Sequence, residues 1–160
     1  MKALILSILS LFLLTTHCMR DDDLHHNCIV FKNNSKDDIY VKFNKYDYPD
    51  TTVYEQFNRH SFYRNTKVKE QELSEKVMQI SAYWEDLFSQ NNCLDTLMVF
   101  IFNADKVEAG ASLQEAVIAR YDVSLEDLRS NNWMLSYPPN DNMASIKMWP
   151  FYASYEKSTN

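Results

Sequence analysis

Two pairs of adjacent acidic residues have side chains of a type that could catalyse a reaction. Glu85–Asp86 and Glu126–Asp127 lie on predicted helices, and paired carboxylates can hydrolyse glycosidic bonds. Neighbouring helical residues point about 100° apart, so neither pair forms a catalytic dyad by itself. No arrangement of serine, histidine and aspartate places a nucleophile beside a base. We therefore predict no catalytic residues and a protein that is not an enzyme, with a small hydrolase as an alternative.

A histidine-rich segment carries side chains that could bind a metal. His25, His26 and Cys28 follow the run Asp21–Asp23, and these ligand types suit Zn²⁺ or Cu²⁺. The spacing contains no C-x-x-C, H-x-x-x-H or H-E-x-x-H pattern. We therefore predict no metal site and no cofactor.

The composition argues against several ligand classes. Gly110 is the only glycine, whereas phosphate-binding loops, dinucleotide-binding turns and nucleophile elbows need glycines at fixed spacings. The formal net charge is −6 and there is no basic stripe, so the chain would repel a phosphate backbone. We predict no nucleic-acid partner.

Three aromatic residues near the carboxyl terminus are candidates for ligand binding. Trp149, Phe151 and Tyr152 follow a polar loop and flank Pro150, and an exposed aromatic platform can bind a sugar or a peptide. The alternative is packing in the core, which aromatic side chains usually serve.

Residues 1–17 have the features of a secretory leader. A positive Met1-Lys2 precedes an apolar run over residues 3–14, which is too short to cross a bilayer as a helix. Leu14 to Cys18 resembles a bacterial lipobox, in which the cysteine thiol is acylated and becomes the first residue. His17 replaces the small residue usual before that cysteine, so an ordinary cleavage site stays open.

Residues 18–27 are predicted to be an acidic tether behind a lipidated Cys18. Their acids, Asp21–Asp23, resemble the export signal of surface lipoproteins of the Bacteroidetes. Acyl chains would anchor the protein stably in a membrane. We therefore expect a lipid-anchored, surface-exposed location on the outer membrane, with a periplasmic or secreted protein as the alternative.

Two cysteines remain after Cys18. In an oxidising compartment Cys28 and Cys93 could form a disulfide, which would close a loop of about 65 residues. Two separate buried thiols are the alternative.

The folded part is predicted to be one domain over residues 28–155, with a frayed tail at 156–160. β-branched and aromatic runs predict strands over residues 28–34, 39–43, 77–80, 97–102, 118–123, 133–137 and 146–149. The run 97–102 is apolar throughout, which is typical of a central strand covered on both faces. Residues 53–72 are read as loop, with one possible strand. The polar segment NNSKDD indicates a hairpin-like connection between the first two strands.

Short helices are predicted from apolar spacing and capping residues. Ser81 would cap a helix over 81–90, and the pattern S-x-x-E at Ser112 predicts a capping box. Ser124 repeats the capping pattern. Strands dominate, so we predict a mainly β domain, an antiparallel β-sandwich (Ig-like or related) with two or three short helices in the connections.

Three segments carry a family resemblance: NNSKDDIYV, DTLMVFIFNAD and RYDVSLEDLRSNNWMLSYPPN. They resemble lipoproteins of the Bacteroidetes of about 150 residues, a family without an assigned function. The resemblance covers most of the chain after the leader. It implies lipidation at Cys18 and a cell-envelope location, and it brings no reaction. Asp50-Thr51-Thr52 also resembles the O-glycosylation signal of that phylum, which makes Thr51 a candidate acceptor.

The function that we predict is a non-enzymatic interaction or accessory module on the outer membrane. Its partners would be the membrane, through the anchor, and an unknown protein or glycan. A glycan- or peptide-binding surface protein that uses exposed aromatic side chains is the alternative.

Overall fold

A computed structural model describes residues 25–63, 66–89 and 94–156. The strands are β1 (Val30–Asn33), β2 (Ile39–Asn44), β3 (Lys67–Val68), β4 (Leu73–Ser74), β5 (Leu97–Asn103), β6 (Val117–Val123), β7 (Met134–Tyr137) and β8 (Lys147–Trp149). The α-helices are α1 (Trp84–Ser89), α2 (Ala104–Glu108), α3 (Leu113–Ala116), α4 (Leu125–Ser130) and α5 (Ala153–Glu156). Short 3-10 helices cover Val53–Gln56, Arg59–Tyr63 and Asp141–Met143.

The strands form two sheets, and the fold is mainly β as predicted. The five-stranded sheet is antiparallel, with the order β3-β2-β5-β6-β8. The three-stranded sheet has the order β4-β1-β7, in which β1 is antiparallel to β4 but parallel to β7. The parallel pair departs from the purely antiparallel prediction. Strands β1 and β7 are far apart in sequence, so no tight turn forces them to run in opposite directions.

Strand β5 lies at the centre of the large sheet, between β2 and β6. Its first six residues are all buried, which confirms the prediction of a central strand covered on both faces. Alternate side chains enter two different apolar clusters, because successive residues of a strand point to opposite faces. We call the face with Leu97, Val99 and Ile101 the inner face and the face with Met98, Phe100 and Phe102 the outer face.

The inner face packs against the three-stranded sheet and two helices. Its cluster joins Val99 and Tyr121 of the large sheet to Phe31 and Leu135 of the small sheet. Trp84 of α1 and Leu128 of α4 belong to the same cluster. The hydroxyl of Tyr121 also donates a hydrogen bond to the carbonyl of Ser136 on β7, at 2.9 Å. Both sheets therefore share one core.

The outer face is only partly covered. Val53 and Phe62 from the 3-10 helices, Val107 of α2 and Leu113 of α3 pack over β2 and β5. Where β6 and β8 form the end of the sheet, Trp149 remains 50% exposed. The end of the outer face at β8 is therefore exposed to solvent.

The predicted hairpin between the first two strands is wrong. Strands β1 and β2 belong to different sheets, and buried Asn33 directs the chain from one to the other. Its side-chain amide donates to the carbonyls of Asp37, Val68 and Lys69 at 2.8, 3.2 and 3.0 Å. Its oxygen accepts from the amide and hydroxyl of Ser35 at 3.0 and 2.7 Å. These hydrogen bonds connect the turn to β3 and the residue that follows it. The turn therefore does not form a β-hairpin between β1 and β2.

Three other segments differ from the predictions. Residues 53–63 are largely 3-10 helix, although β3 supplies the strand expected within 53–72. The strand expected over 77–80 reduces to a single bridge between Gln79 and Cys28. Helix α1 begins at Trp84, after Ser81, because the preceding residues turn to bond the amino-terminal segment, where the amide of Ile80 donates to the carbonyl of Asn27 at 2.9 Å.

Both predicted capping boxes are confirmed. Ser112 caps α3 in reciprocal bonds with Glu115, and Ser124 caps α4 with Asp127. Strands β6, β7 and β8 lie where the patterns predicted them, within one residue at each end, and β8 is an edge strand.

Contacts with the domain begin before the predicted boundary at residue 28. The carbonyl of His26 accepts from the amide of Trp84 at 2.8 Å, and the His26 ring stacks on Trp133 with 4.1 Å between centroids. Residues 25–27 therefore pack against the domain, and Cys18 lies outside the described residues.

Candidate functional site

Strand pairing builds two rows of side chains across the outer face. Arg120 of β6 lies opposite Phe100 of β5 on one side and Trp149 of β8 on the other. In the second row, Asp122 of β6 lies between Met98 of β5 and Lys147 of β8. Each row passes from a fully buried apolar side chain to an exposed one at the edge strand. A charged pair therefore stands between the core and the surface.

A cavity of about 440 Å³ lies over the first of these rows, and we call it the outer groove. Its lining combines aromatic rings with hydroxyl, amide and guanidinium groups: Thr51, Thr52, Tyr54, Phe100, Gln114, Val117, Arg120 and Trp149. Its volume lies within the range of small-molecule sites in proteins. A second cavity of about 410 Å³ is lined by Glu55, Phe57, Ser112, Leu113 and Gln114. Gln114 lines both cavities, so they are neighbours on the outer face.

The loop wall of the outer groove is fixed by Asp50. Its Oδ1 accepts hydrogen bonds from the amide and the hydroxyl of Thr52, at 2.9 and 2.7 Å. These bonds from Thr52 lower the pKa of the Asp50 carboxyl. Beyond this turn, Tyr54 packs on Phe100 with 5.7 Å between ring centroids. Phe57, three residues later, also packs on Phe100 at 5.7 Å, so aromatic contacts join the loop to the floor of the groove.

Helix α3 positions the opposite wall. The Ser112 hydroxyl accepts from the amide of Glu115 at 3.2 Å, and the Glu115 carboxylate accepts from the amide of Ser112 at 3.0 Å. This capping box holds the turn that carries Gln114. It also lowers the pKa of Glu115, first through the hydroxyl of Ser112.

Arg120 supplies the charge of the outer groove. Its Nε lies 2.9 Å from Oδ1 of Asp122 as an ion pair, outside hydrogen-bonding angles, and its Nη2 donates to Oδ2 at 3.4 Å. The Asp122 side chain is only 2% exposed. Lys147 approaches the same carboxylate at 3.5 Å and donates to the Tyr48 hydroxyl at 3.2 Å. The hydroxyl of Tyr48, followed by the charge of Asp122, raises the pKa of Lys147.

The structure separates the three residues predicted to form an aromatic platform. Trp149 lines the outer groove. Phe151 is 79% exposed but does not line it, and Tyr152 packs beside the inner core and donates to Asp141 Oδ1 at 2.9 Å. Thr51, the candidate glycosylation site, also lines the groove and is partly exposed. Trp149 and Thr51, singled out for different reasons, therefore share one site.

The acidic and histidine residues considered for catalysis and metal binding form contacts that hold parts of the fold together. Glu85 accepts from the His26 amide at 2.9 Å and meets the His26 ring at 2.5 Å. Asp127 accepts from the Ser124 amide at 2.9 Å in the cap of α4. Within residues 25–63, 66–89 and 94–156, no group of three or more His, Cys, Asp or Glu side chains is arranged to hold a metal ion.

Cys28 is disulfide-bonded. Its predicted partner, Cys93, lies outside the described residues, so the pairing of these two cysteines stays a prediction.

The sequence reasoning missed Arg120, Gln114 and Tyr54 as site residues. The alternation in IARYDV was recognised as a strand, and it could have placed Arg120 and Asp122 together on the face opposite Tyr121. Gln114 and Tyr54 come from a capped turn and a 3-10 helix, and no local pattern places those elements beside β6.

Comparison of the chain with protein-family models, with curated proteins and with solved structures found no match. The resemblance to lipoproteins of the Bacteroidetes therefore stays a prediction. In the part of the chain that the structure describes, no helix is both long and apolar enough to cross a membrane.

Proposed function

We propose that this protein is a non-enzymatic, lipid-anchored module of the outer cell surface that binds an oligosaccharide in the outer groove. The observation that carries the proposal is the half-exposed Trp149 beside Arg120, over a cavity of about 440 Å³. The face of a pyranose ring presents C–H groups that pack on an aromatic ring, while its hydroxyls need donors and acceptors at the rim. Thr51, Thr52 and Gln114 supply such groups.

The second cavity supports a ligand longer than one sugar unit. It meets the outer groove at Gln114 and adds the ring of Phe57 and the hydroxyl of Ser112. An extended chain could bind both cavities in turn.

A peptide is less well suited to this site. Peptides commonly add a strand to an exposed sheet edge, and the edge strand here, β8, has three residues and is followed by Pro150. It therefore offers few backbone groups for strand addition.

The attachment of the chain suits a surface binding role. The packed amino-terminal residues contact Trp84 and Trp133, which belong to the inner-face cluster. The outer groove lies on the opposite face of the large sheet. The first described residues and the groove therefore lie on opposite sides of the large sheet. In this proposal the two sheets pack face to face as a β-sandwich, supported by the core they share.

Calorimetric titration with a panel of plant, host and bacterial oligosaccharides tests the proposal. We expect wild-type protein to bind at least one member, and Trp149→Ala to weaken that binding at least tenfold by removing the stacking ring. Phe151→Ala is the matched control, because it removes an exposed aromatic ring that does not line the groove. Equal losses in both variants, or no binding by the wild type, would contradict the proposal.

A further inference from the structure

We infer that the oligosaccharide held in the outer groove is acidic, and that the carboxylate of a uronic-acid unit binds Arg120. This inference rests on the proposed function, since it names the chemical class of the ligand in the same site. It comes from the distribution of charge around Arg120, which differs from that of the molecule as a whole.

The floor of the outer groove carries a cation, while the carboxylates of Asp50 and Glu115 hold its two walls in place. Arg120 is the only charged residue among those that line the groove, although the chain carries a formal net charge of −6. Asp122 lies behind Arg120 and is almost fully buried, while Lys147 stands beside them at the surface. These three side chains sum to one positive charge. The anionic group of a ligand would therefore be attracted to Arg120 and Lys147 and repelled by the wall carboxylates and by much of the remaining surface.

The guanidinium is held in one orientation with donors to spare. Its Nε and Nη2 face Asp122, and its other N–H groups have no hydrogen-bond partner among the described residues. A guanidinium offers five N–H donors in a planar fork that matches a carboxylate. Asp122 thus positions Arg120, whose remaining donors can bind a ligand carboxylate at the floor of the groove.

The lining of the neighbouring cavity determines which end of the ligand binds in each cavity. Its lining includes Glu55 and no cation, so a second carboxylate would be repelled there. The charged unit therefore binds beside Trp149, and a neutral unit extends past Gln114 towards Phe57.

Matched probes isolate the contribution of the ligand's charge. Aldobiouronic acids, in which one uronic-acid unit is linked to one neutral sugar, can each be compared with their methyl esters, which keep both sugars and remove the charge. We expect at least one acid to bind about tenfold or more tightly than its ester at low ionic strength, since hydrogen bonds between charged groups are the strong ones. Added salt should reduce that ratio.

Arg120 must be changed together with Asp122. Arg120→Gln alone would leave the buried Asp122 carboxylate with the exposed Lys147, at 3.5 Å, as its remaining cation, which would destabilise the domain. We therefore use the double variant Arg120→Gln/Asp122→Asn, which replaces the ion pair by two neutral amides. It should bind acid and ester about equally, whereas wild type prefers the acid. Lys32→Gln is the control, because it removes an exposed cation from β1, in the other sheet.

The outcomes separate this inference from the proposed function. Equal binding of acids and esters, with both lost in Trp149→Ala, would overturn the acidic ligand and leave the oligosaccharide site standing. Binding of neutral sugars alone would do the same. If no sugar binds, or if a polyglutamate peptide binds through Trp149 instead, both the inference and the proposed function fail.

Discussion

At the scale of single residues, Tyr121 joins the two sheets by a buried hydrogen bond. Its ring is fully buried in the shared core, and its hydroxyl donates to the carbonyl of Ser136. Burial, with the nearby Tyr155 and Tyr137, raises the pKa of Tyr121 well above its usual value of about 10. The unfolded chain therefore releases this proton at a lower pH than the folded protein does.

This difference predicts an alkaline loss of stability. A pKa that is higher in the folded state contributes stability fully below the unfolded pKa and loses it as the pH rises above about 10. Tyr121→Phe should lower the free energy of unfolding by about 1 kcal/mol at pH 7 through the lost hydrogen bond. It should then lose less further stability than wild type between about pH 9 and pH 11.

Urea denaturation at pH 7, at about pH 9 and at about pH 11 measures the free energy of unfolding of each variant. Tyr46→Phe is the matched control, because Tyr46 is 73% exposed and its hydroxyl is expected to contribute little. If the free energy of unfolding falls equally with rising pH in wild type and in Tyr121→Phe, Tyr121 is not the source of the alkaline loss of stability.

At the scale of elements, the amino-terminal segment is held by a cluster around His26. The Glu85 carboxylate bonds both the His26 amide and its ring, and Trp133 stacks on the ring at an interplanar angle of 13°. The adjacent carbonyls of His26 and Asn27 accept from the amides of Trp84 and Ile80. The His26 side chain, the His25 ring on Tyr83 at 4.9 Å and these two backbone bonds thus hold a short segment that lies outside the named strands.

His26→Ala should release this segment without unfolding the domain. Loss of the stacking and of the contact between the ring and the Glu85 carboxylate, each of the order of 1 kcal/mol, should speed amide exchange at Trp84 and Ile80 about tenfold or more. Hydrogen exchange followed by NMR measures it, and amides of β5 should keep their protection. His60→Ala, at an exposed histidine in a 3-10 helix, should change neither site. Faster exchange throughout the domain would contradict this local role.

The elements that the sequence predicted are those whose causes are local. Ser112 and Ser124 cap helices through residues three positions away, and the run 97–102 is apolar at every position. The parallel pairing of β1 with β7 depends on residues more than a hundred positions apart, which no local pattern encodes. Asn33 escaped notice for the same reason, because its partners near residue 68 are brought to it by β3.

The candidate site could be predicted only in part on the same grounds. Trp149 was recognised from its type and its place after a polar loop. Its neighbours in the groove come from the loop at Thr51, the floor at Phe100 and the wall at Gln114. Cross-strand register brings Phe100 to Arg120 and Arg120 to Trp149, and register becomes visible only in the folded sheet.

At the scale of the whole molecule, the proposal gives the domain a membrane side and a ligand side. The amino-terminal residues pack beside the inner face, and the groove lies on the outer face. Cys18 lies seven positions before His25, and seven residue steps span at most about 25 Å when extended. A lipid at Cys18 would therefore keep the domain near the membrane.

Fatty-acid labelling in cells tests this arrangement. We expect wild-type protein to incorporate label and to be digested when intact cells are treated with protease, and Cys18→Ala to incorporate none. Cys28→Ser is not a suitable control because Cys28 is disulfide-bonded, so Lys32→Gln on β1, outside the lipobox, serves instead. An unlabelled wild type would contradict the lipid anchor and favour the soluble periplasmic or secreted alternative.

The most direct test of the oligosaccharide site uses the three tryptophans of the chain. Trp84 and Trp133 are buried, whereas Trp149 is half exposed in the outer groove. NMR spectra of their indole N–H groups should therefore report ligand binding at one site. During titration with oligosaccharides we predict a saturable shift of the Trp149 signal, with those of Trp84 and Trp133 nearly unchanged. No saturable shift at Trp149 across the panel, or shifts confined to the buried tryptophans, would contradict the account.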